Sequence, residues 1–150
     1  MRSAALSIRL AEIGAGLLKD VLALSDWIRL KQNDAEASYA PVLKKEDGRV
    51  NWTRPARVIY NRLRGFTPWP GAFTSFGGQQ LSIINARPHL EGAIEPGQLQ
   101  RDGKRLFVGC GENSRLELLE VQLAGKKRMT AEAFLNGYKI AGSERLGAAH

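Results

Sequence analysis

Apolar residues recur on one side of the start of the chain. Leu6, Leu10, Ile13, Leu17, Val21, Leu24 and Ile28 follow one another at intervals of 4, 3, 4, 4, 3 and 4. That spacing keeps them on one face of a helix, while Arg9, Glu12, Lys19 and Asp20 fall elsewhere around it. An amphipathic helix is predicted over roughly residues 4–24. Burying each leucine is worth roughly 1.5–3 kcal/mol, so this stripe calls for a partner.

The pattern then breaks. Residues 29–51 are polar, charged or short and extended, ending in the turn signal Asp47-Gly48, and read as a linker. A second helix is expected to start at Thr53 as N-cap, with Pro55 in its first turn, and to run through Val58, Ile59 and Leu63 to a stop at Gly65. Thr67-Pro68-Trp69-Pro70 cannot continue it, because each proline fixes its own φ and pushes the residue before it towards extended backbone. A stiff corner is expected there, with Trp69 plugging the core.

After residue 70 the period becomes that of strands. Residues 72–76, 80–87, 98–100, 105–108 and 116–121 are separated by Gly77-Gly78, Pro96-Gly97, Asp102-Gly103 and the Gly109, Gly111, Asn113 cluster. Thr130 caps a last helix beginning Ala131-Glu132-Ala133-Phe134-Leu135. The predicted fold is α+β: a small oligonucleotide-binding-like barrel of about five to six strands with short flanking helices, preceded by a linker and the N-terminal amphipathic helix.

Charge adds a direction. The chain has 150 residues and a net charge of +7. Residues 1–50 hold 8 Lys/Arg against 7 Asp/Glu, and residues 51–150 hold 14 against 8, so the excess lies in the barrel part. A basic surface attracts polyanions, nucleic acid foremost. No stretch approaches the length of a membrane span, and acids such as Glu12 and Asp20 interrupt any targeting pattern. The chain reads as cytoplasmic. Its single cysteine suits a reducing compartment and excludes an internal disulfide framework.

Catalytic chemistry is not visible in these residues. Cys110 reads as a buried strand-end thiol, His89 as solvent-facing, His150 as frayed, and Glu117 and Glu120 as a solvated strand face. Two histidines and one cysteine do not make a zinc ligand set. The basic run Lys126-Lys127-Arg128 after Gly125 is expected in an exposed loop, where phosphate contact is its functional reading. Arg54, Arg57, Arg62 and Arg64 read either as a basic stripe or as the wet side of a packed helix.

Four collinear strings carry a family likeness: Tyr39-Ala40-Pro41, residues 45–52 (Lys45 to Trp52), residues 64–72 (Arg64 to Ala72) and Gly125-Lys126-Lys127-Arg128-Met129. Together they resemble the C-terminal part of methionyl-tRNA formyltransferase. The resemblance implies that residues 1–28 look like the end of a catalytic domain, 29–51 like the linker and 52–150 like the C-terminal barrel. It implies initiator methionyl-tRNA as partner, met by Lys126, Lys127, Arg128, Lys44, Lys45 and Arg49. It also implies a separate catalytic formyltransferase domain as the partner of the apolar helix. The family's catalytic Asn-x-His and Ser-Leu-Leu-Pro motifs are absent, so no catalytic residue carries over. 10-Formyltetrahydrofolate belongs to the full-length family, and no cofactor is expected in this chain. Val42 and Asn51 stand where many members have lysine and aspartate.

That pattern leaves a truncated product, a misread frame or half of a split enzyme as expected origins. The alternative function is a structural interdomain barrel, as in other formyltetrahydrofolate-dependent formyltransferases, without nucleic acid. A generic single-strand-binding barrel would need stacking platforms, for which Phe73, Phe76 and Phe107 are the available rings, although they read as core.

Overall fold

The computed structural model describes residues 2–24 and 29–147. Ile28, the last position of the predicted stripe, and His150 lie outside the described residues. The first helix, α1, spans Ser3–Leu22, close to the predicted bounds. Short 3-10 turns at Asp34–Glu36 and Lys45–Gly48 punctuate the polar stretch that follows.

Helix α2 spans Ala56–Phe66 and differs from expectation at both ends. Thr53 does not cap it. The Thr53 amide and hydroxyl both donate to Asn51 Oδ1 (3.0 and 2.8 Å), and the helix starts three residues later. The Ala56 amide donates instead to Ser114 Oγ at 2.8 Å, a cap from a loop 58 residues away. At the other end Gly65 is helical, and the chain leaves the helix at Thr67 with extended backbone (φ −81°, ψ 126°), as the following proline requires.

The corner also corrects the sequence reading. Both Thr67–Pro68 and Trp69–Pro70 peptide bonds are cis. The Gly71 amide reaches back to the Phe66 carbonyl at 2.9 Å, so the chain reverses within four residues. That reversal leaves Trp69 at its tip, 58% exposed, rather than in the core. Among the described residues the buried tryptophan is Trp52, whose indole N–H donates to Thr74 Oγ1 at 3.2 Å.

Six antiparallel strands follow: β1 Phe73–Phe76, β2 Gln79–His89, β3 Leu99–Asp102, β4 Arg105–Gly109, β5 Arg115–Leu123 and β6 Met129–Thr130. Their order is β1-β2-β5-β4-β3, with β6 on β5. The C-terminal segment links the two edge strands: the Gly147 amide donates to Ser75 on β1, while the Leu99 amide on β3 donates to Glu144. Helix α3, Ala131–Gly137, begins as predicted, with Thr130 Oγ1 accepting from the Ala133 amide at 3.2 Å.

Inward-facing Leu81, Ile83, Leu106, Val108, Leu116, Leu118 and Val121 fill the sheet's concave side. Ile59 and Leu63 of α2 and Phe134 of α3 close over them. Phe76, Phe134 and Tyr138 form an aromatic cluster with centroids 4.7–5.7 Å apart. Cys110 is buried as expected, which pushes its thiol pKa up to about 12. No helix among the described residues is long and apolar enough to cross a membrane.

Candidate nucleic-acid interface

The basic loop is built by the β5–β6 hairpin. Gly125 supplies the left-handed turn (φ +74°), a conformation that costs glycine nothing. The Lys126 amide donates to the Leu123 carbonyl at 3.0 Å, and Gln122 Nε2 donates to the Lys126 carbonyl at 2.9 Å. The backbone is thus fixed while the side chains of Lys126, Lys127 and Arg128 stand exposed.

Arg128 and Lys45, 83 positions apart in sequence, line one shallow groove of about 220 Å³. Pro68 and Pro70 of the corner and the outward residues Ser82 and Gln122 complete its walls. Arg2 joins them, its guanidinium donating to the Ile84 carbonyl at 2.9 Å. The sequence reading missed Arg2 because only the docking of the start of α1 brings it there.

Lys44 is exposed beside this groove's linker wall, and its amide donates to Asp47 Oδ2 at 2.7 Å. Arg49 turns elsewhere. It lines a second groove of about 440 Å³ with Arg54, Arg62, Val58 and Phe66. There Arg62 lies over the Phe66 ring (4.8 Å to its centre) and donates to the Asp47 carbonyl at 2.8 Å. Arg64 instead lies over Tyr60 and bonds Asn61. The arginines read as one stripe therefore split: Arg54, in the turn before α2, and Arg62 on α2 border the groove, whereas Arg64 is tied to its own helix. The six predicted cations make no ion pair among the described residues.

The segment between the grooves is stapled to the sheet. The Val50 amide donates to the Phe73 carbonyl at 2.8 Å. Gly48 is buried so tightly that a Cβ there would come within 2.8 Å of the Gly71 carbonyl. Lys45 and Arg49 are consequently held at fixed places on the barrel.

His89 and Glu117 overturn their sequence readings. Glu117 is 5% exposed, and His89 Nε2 lies 2.9 Å from its carboxylate. Arg105 grips the same carboxylate with two N–H donors, at 2.8 and 3.0 Å. These hydrogen bonds, Arg105's first and His89's after it, outweigh burial and hold the Glu117 pKa at about 2. Strand alternation correctly turns Glu117 outward, but the cross-strand cations that cover it come from other parts of the chain. No cluster of three metal-ligating side chains exists among the described residues.

Comparison with known proteins gives a consistent result. Residues 42–139 match the family model described as "Formyl transferase, C-terminal domain". The chain is 51% identical over 148 residues to a methionyl-tRNA formyltransferase of Koribacter versatilis, covering 97% of this chain and 47% of that protein. It is 47% identical over 149 residues to the corresponding protein of Solibacter usitatus, covering 97% and 47%. The chain spans about half the length of the curated relatives it matches. Among solved structures, HypX from Aquifex aeolicus in complex with tetrahydrofolic acid superposes with a TM-score of 0.55 at 18% identity, over 84% of this chain and 22% of that one. That likeness concerns the fold alone.

Proposed function

The chain belongs to the formyl transferase C-terminal domain family, and from that premise we propose that it is the tRNA-holding portion of a methionyl-tRNA formyltransferase, non-catalytic by itself. The reaction it serves is transfer of a formyl group from 10-formyltetrahydrofolate to the methionyl amine on initiator tRNA, in translation initiation in the cytoplasm. Residues 1–28 are the end of a catalytic domain, 29–51 a linker and 52–150 the barrel. The exposed apolar side of α1 supports a catalytic formyltransferase domain as its second partner.

The observation that carries this reading is the groove bordered by Arg2, Lys45 and Arg128, with Lys126 and Lys127 free beside it. Unpaired cations on a rigid loop suit phosphates, whose neutralisation releases counterions and makes binding salt-dependent. Lys44 and Arg49 extend the contact along the linker.

The test is a mobility shift with initiator tRNA over a salt series, with the Lys126→Ala/Lys127→Ala/Arg128→Ala variant run alongside. The chain is expected to bind weakly, and affinity should fall as salt rises. The variant should lose affinity and show a log K against log salt slope shallower by about 2–3. No shift by either protein would favour a structural interdomain barrel without nucleic acid. Formyl transfer by the purified chain unaided would overturn its non-catalytic assignment.

A further inference from the structure

A second cationic cluster lies on the outer face of the sheet, away from the basic loop. Its centre is Glu117 on β5, paired across the strands with Arg87 on β2 and Phe107 on β4. Arg105 and His89 bond the carboxylate directly, and an Arg87 nitrogen stands 4.0 Å from it. Phe107 faces outward with Glu117 yet is fully buried, because guanidinium groups roof it. Those of Arg115 and Arg105 lie 4.3 and 4.8 Å from its ring centre, and His89 meets it edge-on at 5.5 Å.

Three guanidinium groups thus gather around one acid: Arg105 bonds the Glu117 carboxylate, Arg87 stands 4.0 Å from it, and Arg115 meets only the Phe107 ring beside it. Asp102, opposite Arg105 on β3, adds a second acid, and even with it the cluster keeps a positive excess. Arg115 has no acid partner among the described residues, and its Nε is buried without a hydrogen-bond partner. A guanidinium stacked on a ring is held in a fixed plane, which prepares its N–H fork for a planar or tetrahedral oxyanion. Phosphate accepts such a fork with two hydrogen bonds.

Continuity with the basic groove supplies the partner. Ser82 and Gln122, cross-strand neighbours on that groove's wall, lie on β2 and β5, the same strands that carry Arg87 and Glu117. Arg87 comes five positions after Ser82, an odd offset that would put them on opposite faces of a regular strand. The register irregularity at Asn85 returns both to the outer face. The two sites are then on the order of 15 Å apart along one surface.

We infer that Arg87 and Arg115, braced by Glu117 and Phe107, form a second phosphate-contact point for the RNA backbone, reached along the outer face of β2 and β5 from the basic groove. The inference rests on the tRNA-holding reading above. Arg105 and His89 are positioning residues here, fixing the acid that sets the cluster's geometry.

The experiment is tRNA binding by Arg87→Gln/Arg115→Gln over a salt series, beside wild type and a charge-matched Arg9→Gln/Lys19→Gln pair on α1. The Arg87/Arg115 variant should bind several-fold more weakly at low salt, with a slope shallower by about 1.5. The α1 pair should bind nearly as wild type. Arg87→Glu, at a side chain 64% exposed, repeats the test should the double variant melt early. An unchanged slope while wild type still binds overturns this inference and leaves the proposed function standing. Equal losses in the two charge-matched pairs overturn it as a mere effect of net charge. No binding by wild type overturns both.

Discussion

Leu63 in α2 is 3% exposed, whereas Leu17 in α1 is 60% exposed, although each sits on the apolar face of its helix. The longer and more regular stripe is the uncovered one. α2 is bound at several points: Ser114 caps its first turn, Arg62 ties it to the 3-10 turn at Lys45–Gly48, and Ile59 and Leu63 enter the core. α1 is tied chiefly at its start, where Arg2 donates to Ile84 and the Ser3 hydroxyl to the Thr67 carbonyl. A helical stripe therefore specifies a helix and the need for a cover, while burial depends on what the rest of the chain can bring within reach.

The largest expected effect lies on the α2 side. Leu63→Ala removes a core side chain where α2 and the sheet meet, and the surrounding strands cannot close the gap. Unfolding by denaturant should show a loss of ~2–5 kcal/mol. A loss below about 0.5 kcal/mol, the range of ordinary surface changes, would mean that α2 is not part of the barrel's cooperative unit, and the contrast between the helices would disappear.

Next comes the borrowed cap. Ser114→Ala leaves the Ala56 amide, on a residue with no exposed surface, without its acceptor. An unpaired buried N–H and a lost cap together cost ~1–2 kcal/mol. Amide exchange should accelerate most in the first turn of α2. Exchange that quickens equally in every strand and not preferentially at residues 56–59 would show that Ser114 acts on the β4–β5 loop instead of on the helix.

These two residues also mark how far the sequence could be read. Leu63 was legible because it belongs to a local period. So were the strands around Asp102-Gly103, the Thr130 cap and the exposure of Lys126 to Arg128 after Gly125, each set by neighbours within a few residues. Ser114 was not legible as a cap, since it serves a helix 58 positions upstream while Thr53 offers a plausible local alternative. Trp69 and Trp52 show the same limit: Trp69 sits in the more conspicuous motif, but Trp52 has Thr74 to accept its N–H and takes the interior. Of the candidate site, the cations were visible and their grouping was not. Lys45 meets Arg128 and Arg2 while Arg49 faces another groove, a division made by tertiary docking. Glu117 was misread because alternation predicts the face of a strand and says nothing about which side chains from β2 and β4 will cover that face.

The smallest expected effect is on α1, and it tests the comparison from its other side. Leu10→Ala/Leu17→Ala shortens two side chains that are more than half exposed and do not belong to the buried core. Alanine is also at least as good a helix former as leucine. The melting of the barrel should therefore stay within about ±0.5 kcal/mol of wild type, the range of ordinary surface changes. A stability loss comparable to that of Leu63→Ala, independent of protein concentration, would mean that α1 folds back onto the barrel in solution and that its stripe has a partner within the chain. A loss that grows with concentration would mean that α1 pairs with a second copy, because only an intermolecular cover shifts apparent stability by mass action. Unchanged melting at every concentration is the expected outcome, and it would leave the stripe available to a separate catalytic domain, the partner proposed for it above.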